Sequence, residues 1–387
     1  MKFVVAGVGT VGKWVASFLA MNSKVKEILI GDIDQKKAET VARDLKSRKI
    51  THTKMDVTNI EETAKLLDGA EVFINTAGYQ FNVPAMKAAL KAHVNYVDPG
   101  GLFHVTREQY ELNNAFKSAN LTALLCMGGA PGNTNIMARY AADQLDSIEE
   151  IGVFDCVHDI GEETGPIRFS WHIDSVLDGL IKNPIIFKDG KYIELQPFAG
   201  KEEIYLPEPL GLTEVIFRIH SEVFSLPISF KDKGIKYVYF KGGHPRIFTE
   251  KAKFLMDLGL ANTTPINVDG KEVVPREVLR QLYNSLKPKD EIPEYIGVLR
   301  VLVKGKQGRK KVTFTIESIY KTPKGLDLVG MGTAMPLTIA TLMLAREEIT
   351  QTGTLFPEMC IDPQKYFKEL KKMGVQPPIV KIERPLI

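Results

Sequence analysis

At 387 residues with 44% hydrophobic side chains, the chain is longer than one ordinary core organises, and two domains are expected. Its 50 Lys and Arg against 47 Asp and Glu leave a net charge of +3, mixed along the chain, which indicates neither nucleic acid nor an anionic membrane as a partner. Three scattered cysteines, Cys126, Cys156 and Cys360, supply neither a disulfide framework nor metal-ligand spacing, and no apolar run reaches the roughly 18 residues that span a bilayer, so a protein of the reducing cytoplasm without a metal site is expected.

The first strand, Phe3 to Ala6, starts at once, leaving no room for a leader, and runs into Gly7-Val8-Gly9-Thr10-Val11-Gly12. Strand, glycine turn and helix start in that order form a dinucleotide-binding opening. Gly7 makes the tight turn, Gly9 lets the backbone approach a pyrophosphate, and Gly12 packs helix on strand. The pyrophosphate rests on unpaired amides of the helix start, at Thr10 and Val11. A second strand, Ile28 to Gly31, ends in Asp32, about 20 residues on, where a carboxylate accepts from ribose hydroxyls and repels a 2′-phosphate. NAD is the expected cofactor; Lys36 and Lys37 keep NADP open.

Further strands are expected at Thr51 to Met55, Val72 to Asn75, Tyr96 to Asp98 and Thr122 to Met127. Helices fall between them at Gly12 to Ala20, Gln35 to Leu45, Ile60 to Leu67, Val83 to Ala92 and Thr106 to Ala119. This alternation predicts an α/β Rossmann fold, a doubly wound parallel sheet. Ligands bind beyond the carboxyl ends of such strands, which nominates Asp32, Asp56, Asn75, Thr76, Ala77, Asp98 and the turn Gly128 to Gly132 with Pro131. Asp56 is placed to meet an adenine amino group, or else serves as a turn or cap residue.

Beyond residue 150 the pattern changes to strands with hairpin turns at Asp189-Gly190 and Asp269-Gly270. Long strands are expected at Ile216 to Val223, Ile235 to Phe240, Val298 to Val303 and Val312 to Ile319, with helices at Phe248 to Leu258 and Pro275 to Leu286. They predict a second, α+β domain built on a large mixed or antiparallel sheet. Pro336 to Arg346 is apolar almost all round, the pattern of a helix buried between domains. The expected division is 1–130 for dinucleotide binding, 131–330 for substrate, and 331–387 for a helical segment returning to the first domain.

Several separated segments resemble the saccharopine dehydrogenase (reductase-type) family, and within it the lysine 6-dehydrogenase branch. They are Gly7 to Gly12 with Asp32; Tyr79-Gln80-Phe81-Asn82 in NTAGYQFNVPAMKAALKAHVNYVDPGG; Pro131-Gly132 with Asn135; Phe169-Ser170; Gly243-His244; and GTAMPLTIATLMLAREEITQTGTLFPE. The resemblance implies a Rossmann domain, an inserted catalytic and dimerisation domain, and a homodimer. It implies oxidation of the L-lysine ε-amine with NAD to 2-aminoadipate 6-semialdehyde; other members make or break a secondary amine, as in saccharopine or carboxynorspermidine. The segment Val215 to Glu222 looks more like those other branches, and Lys241-Gly242-Gly243 stands before His244 where many members carry an arginine and a single small residue. A nucleotide-binding regulator without turnover is the reading outside enzymes.

Amine oxidation by hydride transfer needs a neutral nitrogen, and a free lysine amine has a pKa of about 10.4, so a base is required. His244 matches the family motif and is the first candidate; a packed histidine capping the next helix is the alternative. Asp98 binds the amine or orients the base, or else holds the turn of the glycines after it. His220 and Glu222, two apart on one expected strand, point to one face and share a pocket or a solvated surface. Tyr79 and Asn82 lie where ribose and substrate meet, and Arg168 and Arg246 are the candidates for a substrate carboxylate. The remaining histidines read as structural.

Overall fold

In the computed structural model, which describes residues 1–159, 167, 169, 173–286, 294–321 and 328–384, the opening apolar run forms β1 (Lys2–Ala6) and the glycine turn leads into α1 (Thr10–Met21). Alternation continues through β2 (Glu27–Asp32), α2 (Gln35–Leu45), β3 (Ile50–Lys54), α3 (Ile60–Leu66), β4 (Val72–Asn75), α4 (Asn82–Ala92), β5 (Asn95–Val97), α5 (Phe103–Tyr110), α6 (Asn113–Ser118) and β6 (Thr122–Leu124). The helix expected over Thr106 to Ala119 is therefore two. Asn113, a residue that favours helix starts, opens the second and accepts from the Thr354 amide at 3.0 Å.

The chain then passes through α7 (Asn133–Ala142), β7 (Ser147–Asp159), α8 (Ile173–Ile181), β8 (Ile185–Lys188), β9 (Lys191–Glu194), β10 (Glu202–Tyr205), β11 (Leu212–Phe217), α9 (Glu222–Ser229), β12 (Tyr237–Gly243) and α10 (Arg246–Asp257). After it come β13 (Ile266–Val268), β14 (Lys271–Val273), α11 (Pro275–Leu286), β15 (Tyr295–Gln307), β16 (Lys310–Lys321), α12 (Leu328–Ala345), β17 (Gly353–Leu355), α13 (Pro357–Cys360), α14 (Pro363–Lys372) and β18 (Ile379–Glu383). The strand expected over Ile216 to Val223 ends at Phe217. The Ser221 hydroxyl donates to the Gly101 carbonyl, tying the turn to the first domain, and Val223 and Phe224 are buried as part of α9. A short apolar run fits either element, and here the tertiary contact decides.

The first sheet is all parallel, in the order β17-β6-β5-β4-β1-β2-β3. The second runs β10-β11-β12-β7-β15-β16-β18, with β8 on β12 and β9 on β8; β12 lies parallel to β7 and the other pairs are antiparallel. The fold is a Rossmann sheet joined to a mixed-sheet domain. Side chains alternate across β1: Phe3 and Val5 pack with α1 and the apolar α12, while Val4 and Ala6 face a core shared with Ile151, Val153, Val301 and Phe314 of the second sheet. Each fully buried Leu or Ile of α12 contributes about 1.5–3 kcal/mol. No described helix is long and apolar enough to cross a membrane.

Candidate active site

A cavity of about 1750 Å³ opens between the carboxyl ends of the Rossmann strands and the second sheet. That exceeds the roughly 300–1,000 Å³ of a single small-ligand pocket, leaving room for a dinucleotide and a second molecule. Its first wall is the glycine loop. Gly7 has φ +81°, and a Cβ there would lie 2.4 Å from the Ala77 Cα; one on Gly12 would lie 1.9 Å from the Gly7 carbonyl oxygen. Thr76 clamps the loop by donating to that oxygen at 2.6 Å. Gly9 is different: a Cβ on it would meet only the Lys37 ammonium, at 4.0 Å. As N-cap of α1 it supplies no side-chain cap, so the amides at Thr10 and Val11 keep the open cradle that a pyrophosphate needs.

Asp32, 7% exposed, completes this wall. Burial pushes its carboxyl up, but hydrogen bonds from the Val8 and Asp34 amides and from Lys37 bring it below the usual carboxylate value, so it is ionised. Asp56 also lines the cavity and accepts from the Thr58 hydroxyl and amide at 2.6 and 3.0 Å, which holds its pKa low and makes it a turn-forming residue. These residues fit a nicotinamide dinucleotide.

The floor is a chain of side-chain amides. Asn75 Nδ2 donates to Asn82 Oδ1 at 2.8 Å, Asn82 Nδ2 to Gln109 Oε1 at 3.2 Å, and Gln109 Nε2 to Asp98 Oδ2 at 2.6 Å. Asn75, Thr76, Ala77, Asn82 and Pro131 line the cavity, but Asp98 does not. It is wholly buried, and its Oδ1 accepts from the Gly100 and Cys126 amides at 2.8 and 3.1 Å. The expectation of a catalytic Asp98 is corrected: with both oxygens taken by fixed donors, it shapes the Pro99–Gly101 loop. Gln109, which anchors it, went unnoticed in the sequence.

The opposite wall comes from the second sheet. The His220 ring stacks on Phe240 at 3.8 Å between centroids, and its Nδ1 hydrogen-bonds the Glu222 carboxylate, whose other oxygen accepts from the Thr134 hydroxyl at 2.8 Å. Glu222 is fully buried behind His220; the two are joined across a turn and helix start, not along the strand expected. Asp155 and Tyr320, absent from the sequence-based candidates, meet here, the phenol donating to Asp155 Oδ1 at 3.5 Å. Burial raises the Asp155 carboxyl, with His220 and Arg218 opposing. Arg218, also unanticipated, fits because Gly242 has no side chain: a Cβ there would lie 2.4 Å from Arg218 Nε. Burial brings its guanidinium down to about 10.

His244 also lines the cavity, 8% exposed. Its Nδ1 lies 3.4 Å from the Val157 carbonyl, which assigns the proton to Nδ1, and Nε2 has no partner among the described residues. Burial first, then Arg218, push its pKa well below 6.5, so it is neutral. An unfolded chain takes up this proton below 6.5 and the folded one does not, so stability falls as pH drops below that value, by up to about 1.4 kcal/mol per pH unit. Unfolding at about pH 7.5 and about pH 5.5 should show His244→Gln losing less stability on acidification than the parent, by about 1 kcal/mol. Equal losses would place the titration on other groups.

Tyr79 lines the cavity and donates to Asp178 Oδ2 at 2.6 Å; burial and that carboxylate push its phenol up. Asp178 Oδ1 pairs with Arg276 at 2.6 Å, and both were missed in the sequence because α8 and α11 meet only in the fold. Arg246 does not reach the cavity: it is 76% exposed on α10, paired with Glu250 at 2.9 Å one turn on. Arg168 lies outside the described residues.

Comparison with known proteins finds the profile "Saccharopine dehydrogenase NADP binding domain" over residues 3–124 and "Saccharopine dehydrogenase C-terminal domain" over residues 128–375. Carboxyaminopropylagmatine dehydrogenase of Synechocystis is 23% identical, covering 97% of this chain and 96% of its own. Carboxynorspermidine synthase of Vibrio cholerae is 24% identical, covering 99% and 98%. Among solved structures, the apo saccharopine dehydrogenase (L-Glu forming) of Saccharomyces cerevisiae superposes over 100% of both chains with a TM-score of 0.77 at 18% identity. Homospermidine synthase of Legionella pneumophila, solved with NAD, covers 99% of this chain and 91% of its own with a TM-score of 0.67 at 14% identity. With both of its domains matched, the chain belongs to the saccharopine dehydrogenase family of NAD(P)-dependent oxidoreductases acting on amines.

Proposed function

We propose that this protein reduces the imine formed between an aldehyde and the amine of an amino acid or polyamine, giving a carboxylated secondary amine, or runs that reaction in reverse. The observation that carries the reading is the His220 imidazole, held from behind by Glu222 on the wall of the same cavity that the glycine loop lines. The polyamine names of the two full-length relatives support the substrate class. A wall bearing Asp155 beside Arg218 suits a molecule that is itself both cationic and anionic.

Bound dinucleotide supplies or accepts the hydride at nicotinamide C4. His220 takes the proton from the incoming ammonium, so that nitrogen regains the lone pair with which it attacks the aldehyde carbon. The alkoxide so formed takes a second proton from nitrogen, and the same imidazolium then protonates that hydroxyl, releasing water and leaving the iminium, while Glu222 holds the ring and stabilises its positive charge. Asp155 holds substrate ammonium groups, and Arg218 a carboxylate. His244, neutral and buried, offers Nε2 as an acceptor rather than as a base. Tyr79, fixed by Asp178, positions the substrate beside the ribose.

Absorbance of NADH and NADPH, followed with aldehyde and amine pairs and with L-lysine alone, tests the reading. Cofactor consumption that needs both partners is expected. NADH production from lysine alone, without turnover of any pair, would assign oxidative deamination of the ε-amine. Binding without turnover on any amine would assign a nucleotide-responsive regulator.

A further inference from the structure

Asp32 does not meet an adenosine ribose alone. Its Oδ2 accepts from the Val8 amide and from the Lys37 ammonium, both at 3.0 Å, and its Oδ1 from the Asp34 amide at 3.1 Å. Two of these donors belong to the main chain of the turn and are fixed. The third sits on a flexible four-carbon stem whose side chain is 46% exposed. Its root is anchored, because Asp34 caps α2 by accepting from the Lys36 and Lys37 amides at 3.0 and 3.3 Å. The same ammonium lies 4.0 Å from the point a Cβ on Gly9 would occupy, so it overhangs the cradle as well as the carboxylate. Lys37 lines the cavity; Lys36, its neighbour, does not.

We propose that Lys37 decides which dinucleotide the site takes. With a 2′-hydroxyl, Asp32 accepts from the ribose and Lys37 remains its counter-ion. A 2′-phosphate would be repelled by a bare carboxylate, but the ammonium transfers from Asp32 to the phosphate while the Val8 and Asp34 amides keep the carboxylate satisfied. The ion pair is thus a movable neutralising charge that lets a ribose site built on an acid accept NADP(H). The inference rests on the dinucleotide reading of the glycine loop and refines it.

Titration of NADH and NADPH into the purified full-length chain, followed by nucleotide fluorescence, tests it without any amine substrate. Lys37→Ala should lower the ratio of NADPH to NADH affinity by about tenfold or more, and Lys37→Glu further, because specificity is the difference of two binding free energies. The parent's NADPH affinity should also fall more steeply with salt than its NADH affinity. A partly exposed lysine on a helix surface should be replaceable without unfolding the chain, and an unchanged circular dichroism spectrum of each variant is the check. A ratio within about threefold of the parent in both variants would overturn the proposal. So would a parent that binds NADH and excludes NADPH. A parent that binds neither would overturn the dinucleotide reading itself, so the two failures are distinguishable.

Discussion

His220→Ala is expected to lower turnover of the aldehyde and amine pair by about a hundredfold or more, with dinucleotide affinity held. The loss follows from geometry: removing the imidazole takes away a cavity-wall base whose partner, Glu222, is fully buried and already fixed by Thr134. Glu222→Gln keeps the shape but removes the charge that stabilises the imidazolium, so turnover should fall by about tenfold or more. Steady-state rates at saturating cofactor, beside fluorescence titration of NADPH, separate chemistry from binding. If His220→Ala keeps the parent's turnover while His244→Ala loses it, the proton passes through His244 and not through His220.

Gly12→Ala and Gly9→Ala are expected to part company. At Gly12 the new methyl would fall 1.9 Å from the Gly7 oxygen and 2.6 Å from Thr76 Oγ1, so α1 must move off the loop. Overpacking of that kind costs about 3 kcal/mol or more, and dinucleotide binding should disappear together with a lowered unfolding midpoint. At Gly9 the methyl finds open space and the backbone, at φ −72°, accepts alanine, so stability should hold. The same methyl stands where a pyrophosphate must approach, and affinity for NADH and NADPH should drop by about tenfold or more. Thermal unfolding and nucleotide titration of both variants decide the matter. Unchanged affinity in Gly9→Ala would move the phosphates elsewhere.

The Rossmann half was legible because its signals are local. β4 at Val72–Asn75 and α2 at Gln35–Leu45 occupy the spans that alternation and periodicity nominate, and Asp32 ends β2 where a ribose acid belongs. The cavity wall built by the second sheet was not legible in the same way. Asp155, Arg218 and Tyr320 are brought together by the strand order β11-β12-β7-β15-β16, and no spacing along the chain encodes that order. One signal was present: Asp155 interrupts an apolar strand, and a carboxylate in such a place needs a partner. The same reasoning applies to Asp178 in α8, whose partner Arg276 is 98 residues away. Asp98 misled because position at a strand end does not distinguish a side chain facing the cavity from one folded under its own loop.

In the proposed reaction hydride passes, within this one cavity, between nicotinamide and the carbon of a carbon–nitrogen bond beside His220. Incubation of the full-length chain with NADPH doubly deuterated at C4, an aldehyde and an amino acid or diamine tests it most directly, by mass spectrometry of the amine formed. A single deuterium on the carbon next to nitrogen in a new secondary amine, dependent on His220, is the predicted result. NADPH consumed without label in any amine, or labelled amine formed equally well by His220→Ala, would contradict it.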